Sequence, residues 1–162
     1  MKKRIDKSEI LTLEKIKRDF NLMDSFYFSE VSYDDDDGKF FDLYLWLNKS
    51  GISDNQVEIY NRLIKNLEKY SIEINNFIES TYSNFERKKL EELNSKKLDI
   101  DVISIPDDNE NFEAVLVCGK QYKLFGLFKR DIGIRIEFKN GMINSMERKS
   151  DTTKENVKKN VY

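Results

Sequence analysis

SDNQVEIYNRLIKNLEKYSIEINNFIESTYSNFERKKLEEL, running from Ser53 to Leu93, is the stretch from which the fold is read. It holds neither proline nor glycine, so nothing in it breaks a helix outright. It opens on Ser53-Asp54-Asn55-Gln56. In that pattern the serine oxygen accepts a backbone N–H of the first turn, and the glutamine side chain returns a bond to the cap. Apolar residues then recur three and four apart, at Val57, Tyr60, Ile64, Leu67, Ile74, Ile78, Tyr82 and Phe85. That period belongs to a helix with one buried stripe. The pattern weakens at Tyr70-Ser71, and Asn75-Asn76 adds two poor helix formers, so a kink or a break into two helices is expected there. Asn94-Ser95 marks the exit.

Strand patterns flank this helix on both sides. Phe26–Tyr33 and Phe40–Leu47 read as a hairpin about Asp34-Asp35-Asp36-Asp37-Gly38, a strong breaker whose glycine tolerates positive φ. In the second strand Phe41, Leu43, Leu45 and Leu47 point one way, and Phe40, Asp42, Tyr44 and Trp46 the other. Both rows are largely apolar or aromatic, unlike a strand with one solvated face. One row is expected against the long helix; the other must meet a further layer, a partner or water. Upstream, residues 8–20 read as a short helix with Ile10, Leu13, Ile16 and Phe20 on one face. Glu9, Glu14 and Asp19 dilute its positive face and argue against a membrane anchor.

Downstream, Asp99–Ile105 alternates loosely and ends at Pro106, the only proline. Asp107–Asn111 is a polar turn. Phe112–Cys118 is an apolar strand that Gly119-Lys120 is expected to turn into Gln121–Phe128. Ile132, Ile134, Ile136 and Phe138 then alternate with Gly133, Arg135, Glu137 and Lys139, and Asn140-Gly141 is a strong hairpin signal returning through Met142–Met146. The expected fold class is α+β: an antiparallel meander sheet with an N-terminal hairpin, packed by one long, kinked helix and a short N-terminal helix. Residues 1–147 read as one domain and 148–162 as a polar tail, frayed or weakly helical.

The chain has 162 residues, 39% apolar and 36% charged, enough to bury a core. Its net charge of −2 gives no global pull on nucleic acid or an anionic membrane. The charge is uneven, however. Residues 1–20 carry seven bases and four acids, whereas residues 21–60 carry two bases and nine acids. Residues 148–162 carry five bases and two acids. Cys118 is the sole cysteine and sits in an apolar run, which reads as a small buried hydrophobe and rules out an intrachain disulfide. No apolar segment follows the basic Met1-Lys2-Lys3-Arg4 start, and none approaches membrane-spanning length, so a cytoplasmic protein is expected.

No residue pattern carries catalysis, and no cofactor or metal is expected. Aligning Gly38 with the sixth position of a calcium-binding EF-hand loop puts Tyr33 first and Tyr44 twelfth, where an acid and a bidentate glutamate are needed. Histidine is absent, which removes the commonest general base and imidazole metal sites. Gly119, Gly126 and Gly133 fall seven apart, which is no phosphate cradle. The feature with binding chemistry is the aromatic hairpin, with Phe26, Tyr27, Phe28, Tyr33, Phe40, Phe41, Tyr44 and Trp46 close together in an acidic setting. Aromatics on a sheet stack bases only where cations stand near, so nucleic acid is not expected. Tyrosine and tryptophan anchor protein interfaces that acids can rim. Asp35, Asp36, Tyr44 and Trp46 are therefore the candidate partner-binding residues. The plain alternative is that the rings simply form core, with or without cover from the first helix. The long helix's seam would also serve a coiled-coil dimer, although packing on its own sheet is simpler.

The motif order resembles uncharacterised families of small bacterial α+β proteins, some of whose members are immunity-protein-like, neutralising a toxin. The pieces that carry the resemblance are Phe40–Leu47, the helix start Ser53–Gln56, Tyr82 with Phe85, and Gly133–Ile143, within roughly residues 20–147. Relatives often carry an acidic-histidine-glycine signature before the last hairpin; here Lys129-Arg130-Asp131-Ile132-Gly133 stands instead, so a role of that histidine does not transfer. The resemblance implies a non-catalytic bacterial cytoplasmic protein-binding module. A carboxylate-based enzyme, with or without a divalent metal, and a self-associating structural protein are the other two readings of the same residues.

Overall fold

The computed structural model describes residues 4–32, 40–92, 100–124 and 128–148, with side chains left aside at 89–92 and 120–132. In chain order the elements are β1 (Ile5–Asp6), α1 (Leu13–Asp19), β2 (Asn21–Leu22), β3 (Phe26–Ser32), β4 (Phe40–Trp46), α2 (Asp54–Lys65), α3 (Leu67–Thr81), α4 (Asn84–Glu92), β5 (Ile100–Ile105), β6 (Ala114–Leu124), β7 (Phe128–Lys139) and β8 (Met142–Arg148). The strands form one eight-stranded sheet in the order β1-β3-β4-β5-β6-β7-β8, with β2 also paired to β3. The fold is thus α+β.

The sheet is mixed, which corrects the expected meander. β4 and β5 run parallel, Asp42 beside Val102 and Leu45 beside Ile105. The three helices between them carry the chain back to the end where β4 began, and a strand entered from that end must run parallel to its neighbour. β1 also runs parallel to β3, pairing Ile5 with Val31. The remaining ladders are antiparallel.

Ser53 caps α2 as the capping box requires, its oxygen accepting from Gln56 N at 3.2 Å while Gln56 Oε1 accepts from Ser53 N at 3.0 Å. The helix breaks at Asn66, earlier than expected. There the Asn66 side chain donates to the Arg62 carbonyl at 2.7 Å and its backbone N–H is shared between Arg62 and Leu63 carbonyls. An asparagine amide competing for the helix's own carbonyls is a local reason to stop. A second break comes at Tyr82, extended at φ −97°, ψ 140°. Ser83 and Glu86 then form a reciprocal cap for α4. The expected stripe through Tyr82 and Phe85 is therefore interrupted: Tyr82 is buried and Phe85 is 54% exposed.

Two further expectations fail at particular residues. α1 starts at Leu13 with Thr12 as its cap, so Ile10 lies outside the helix, 76% exposed, and Leu11 is buried in its place. Gly119-Lys120 is not a turn: β6 runs on to Leu124 and pairs with β7 as far as Phe128. Asn140 and Gly141 both take positive φ, 52° and 71°, the backbone that a two-residue hairpin of primed type needs.

The core lies between the helices and one face of the sheet. Phe41, Leu43, Leu45, Ile103, Ile105, Leu116, Ile134 and Ile136 are buried there with Ile16, Phe20, Tyr60, Leu63 and Ile78. A bulge at Asp101 lets both Ile100 and Ile103 face that core. Cys118 is buried in the same cluster.

Candidate functional site

The face of the sheet turned away from the helices carries the second row of β4. In the antiparallel ladder Phe26 stands opposite Trp46, Phe28 opposite Tyr44, and Glu30 opposite Asp42. Residues directly opposite share a face, so these six side chains form one patch. Their rings touch in sequence. Phe26 lies 5.0 Å from Trp46 and 5.3 Å from Tyr44, and Phe28 lies 5.2 Å from Tyr44, centroid to centroid, all tilted or edge-on. Such pairs contribute beyond their buried area, on the order of 1 kcal/mol each.

The patch continues across the sheet. Trp46 Nε1 donates to Ser104 Oγ at 2.9 Å, which fixes the indole over β5. Val115 and Val117 of β6 follow, fully buried yet outside the core cluster. Arg135 and Glu137 of β7 stand beside them in register and meet at 3.5 Å.

Charge is concentrated at the β3–β4 end. Arg4 Nε donates to Glu30 Oε2 at 2.7 Å, and its guanidinium carbon sits 4.4 Å above the Phe40 ring. Among the described residues Asp42 receives one bond, a long one of 3.4 Å from the Tyr44 hydroxyl. Its carboxyl is pushed above the ordinary aspartate range, first by burial and then by Glu30 across the ladder, against the pull of the Tyr44 bond. The Tyr44 hydroxyl is pushed up too, mainly by burial and then by the Asp42 charge.

Tyr44 and Trp46 thus lie together, both half-buried, on a face that α1 does not cover. α1 sends Ile16 into the opposite face, with Leu11 and Phe20 beside it. The alternative in which the first helix covers the rings does not fit this placement of α1, whose buried side chains belong to the core cluster. Asp35 and Asp36 lie outside the described residues. Glu30, Asp42 and Arg4 adjoin the patch and are not among the candidates that the sequence singles out. Asp42 was visible in principle, since it shares the alternating row of Tyr44 and Trp46. Arg4 was not, because its place depends on the long-range parallel pairing of β1.

A concavity of about 260 Å³ lies at the C-terminal ends of β5 and β7 among Asn55, Asp108, Glu113 and Lys139. Its polar groups brace the fold. Glu113 accepts from Arg62 at 2.9 Å and from Gly141 N at 2.8 Å, and Asn55 donates to Asp108 at 2.8 Å. Among the described residues no group of three or more His, Cys, Asp or Glu side chains is placed to hold a metal ion. No described helix is long and apolar enough to cross a membrane. No family model, curated protein or solved structure matches this chain.

Proposed function

We propose that this chain is a non-catalytic protein-binding module whose contact surface is the helix-free face of β3 and β4, and that it serves as a bacterial cytoplasmic immunity protein. What supports the reading is the ring series Phe28–Tyr44–Phe26–Trp46, half-buried on a face to which, among the described residues, none of the helices contributes core residues. Aromatic side chains that keep part of their surface in water, with acids at their margin, have the composition of an interface anchor. Glu30 and Asp42 supply the acids. The acidic run Asp34–Asp37 belongs by sequence to the turn of the same hairpin. An acidic and aromatic surface is complementary to a basic one, and toxins that act on nucleic acid present basic active sites. The partner is then a cognate toxin.

The test is co-purification with the product of the adjacent gene, using the wild-type chain and Tyr44→Ala. Capture by the wild type and loss in the variant, with the variant still folded, supports the reading. Absence of capture by either, or equal capture by both, contradicts it.

A further inference from the structure

Two carboxylates stand side by side on the face of β3 and β4 turned away from the core, each next to an aromatic ring, and their occupancy differs. Glu30 and Asp42 are directly opposite in the β3–β4 ladder, a like-charge pairing that costs stability unless cations neutralise it. At Glu30 the chain supplies its own cation. Arg4 bonds the carboxylate at 2.7 Å and lays its guanidinium over Phe40 at 4.4 Å. At Asp42 the surroundings are alike in kind: the carboxylate touches the Tyr44 hydroxyl at 3.4 Å, and Tyr44 packs at a tilt against Phe28 at 5.2 Å. Among the described residues, however, no cation bonds Asp42. Burial and Glu30 together disfavour its charge, and the bond from Tyr44 offsets them only in part. A half-buried carboxylate flanked by rings, with no cation bonded to it among the described residues, is a place prepared for a positive group.

Resting on the protein-binding reading, we infer that Asp42, Tyr44 and Phe28 accept an arginine side chain from the partner, in the way that Glu30 and Phe40 hold Arg4. Arginine suits the place better than lysine. Its flat guanidinium spans a carboxylate and stacks on a ring at once, and it sheds water more readily than an ammonium. The partner therefore inserts one arginine beside Arg4, and the two guanidinium groups neutralise the cross-strand acids.

The probe is the blocked tripeptide acetyl-Gly-Arg-Gly-amide, with citrulline replacing arginine as the uncharged isostere. Amide shifts of the full chain are followed by NMR during each titration. Saturable shifts centred on residues 28, 30, 42 and 44 are expected for the arginine peptide. Weakening of about tenfold or more is expected for citrulline and in Asp42→Asn, the scale of one charge-assisted bond lost. Phe28→Leu weakens binding by a smaller factor and leaves the charge in place. Glu58→Gln, on an exposed position of α2, changes nothing. Equal binding of the two peptides, undiminished binding by Asp42→Asn, shifts centred elsewhere, or no shift at all overturns the inference. If the arginine peptide fails while Tyr44→Ala still abolishes capture of the partner, this inference alone falls. If capture is indifferent to Tyr44→Ala, the parent reading falls with it.

Discussion

Strand β4 carries two rows of side chains that are similar in composition and opposite in surroundings. Phe41, Leu43 and Leu45 have no exposed surface and meet Ile103, Ile105 and the helices. Phe40 is 42% exposed, and Asp42, Tyr44 and Trp46 are half-buried on the face the helices leave open. Hydrophobicity alone does not distinguish the rows. What does is coverage: one layer of helices buries one face of a sheet, and the other face keeps whatever its residues are for. The first row should therefore report on stability, and the second on binding.

The largest effect on stability is expected from Phe41→Ala. Truncating a fully buried phenylalanine costs on the order of 3–5 kcal/mol, read as a fall in the denaturant midpoint. A cost under about 1 kcal/mol would mean that this row is not core.

Gln56→Ala comes next. Gln56 is buried and donates to the Trp46 carbonyl at 2.7 Å and to the Pro106 carbonyl at 2.7 Å, tying the ends of β4 and β5 to the start of α2. Its loss strands buried acceptors and removes half of the capping box, a cost of roughly 2–3 kcal/mol. A neutral result would show that the carbonyls find other donors.

Tyr82→Phe sharpens the comparison from the helix side. The Tyr82 hydroxyl donates to the Gly133 carbonyl, and a cost of about 1 kcal/mol is expected. Burial, opposed by Arg148, pushes that hydroxyl up to about 12. A raised folded value means that the protonated form is the one folding favours. The contribution is complete below the ordinary value of 10 and is lost as pH rises from there towards 12. Wild type should therefore lose stability over that window more steeply than Tyr82→Phe; parallel profiles would refute the assignment.

The smallest stability effects belong to the open row. Tyr44→Ala should cost about 1 kcal/mol, as a half-buried ring in an aromatic pair does, while abolishing capture of the partner. Asp42→Asn should be neutral or mildly stabilising near neutral pH. With the carboxyl pushed above 3.8, folding favours its protonated form, so its relative contribution is greatest below that value and is lost as pH rises through the raised one. The wild-type minus variant difference in unfolding free energy should shift in that sense across the acid range. A shift of the opposite sign would contradict the burial of Asp42.

Local chemistry made much of this legible from sequence, and long-range pairing did not. The Ser53–Gln56 cap, the Asn140-Gly141 turn and the alternation of β4 are set by residues within a few positions of one another, and each stands where it was read. Ser83-Asn84-Phe85-Glu86 is a second capping box of the same kind, obscured in the sequence by the apolar period that runs through it. Gly119 misled for the opposite reason. A glycine marks a turn only when the ladder stops, and β6 continues past it to Leu124. The parallel link of β4 to β5, and the placing of Arg4 on Glu30, depend on how the chain returns after α4 and before α1. No short window of sequence contains that information. So the common face of Asp42, Tyr44 and Trp46 is legible from their alternation, and the place of Arg4 is not.

The most direct measurement is the affinity of the adjacent gene's product for three chains, wild type, Tyr44→Ala and Leu43→Val, by titration calorimetry. Leu43→Val trims one methylene from the buried row and leaves the open row intact. The expected result is unchanged affinity for Leu43→Val and a loss of about a hundredfold or more for Tyr44→Ala, the scale of a hot-spot aromatic. Equal affinity for all three chains, or no heat with any of them, would contradict an open face built for a partner.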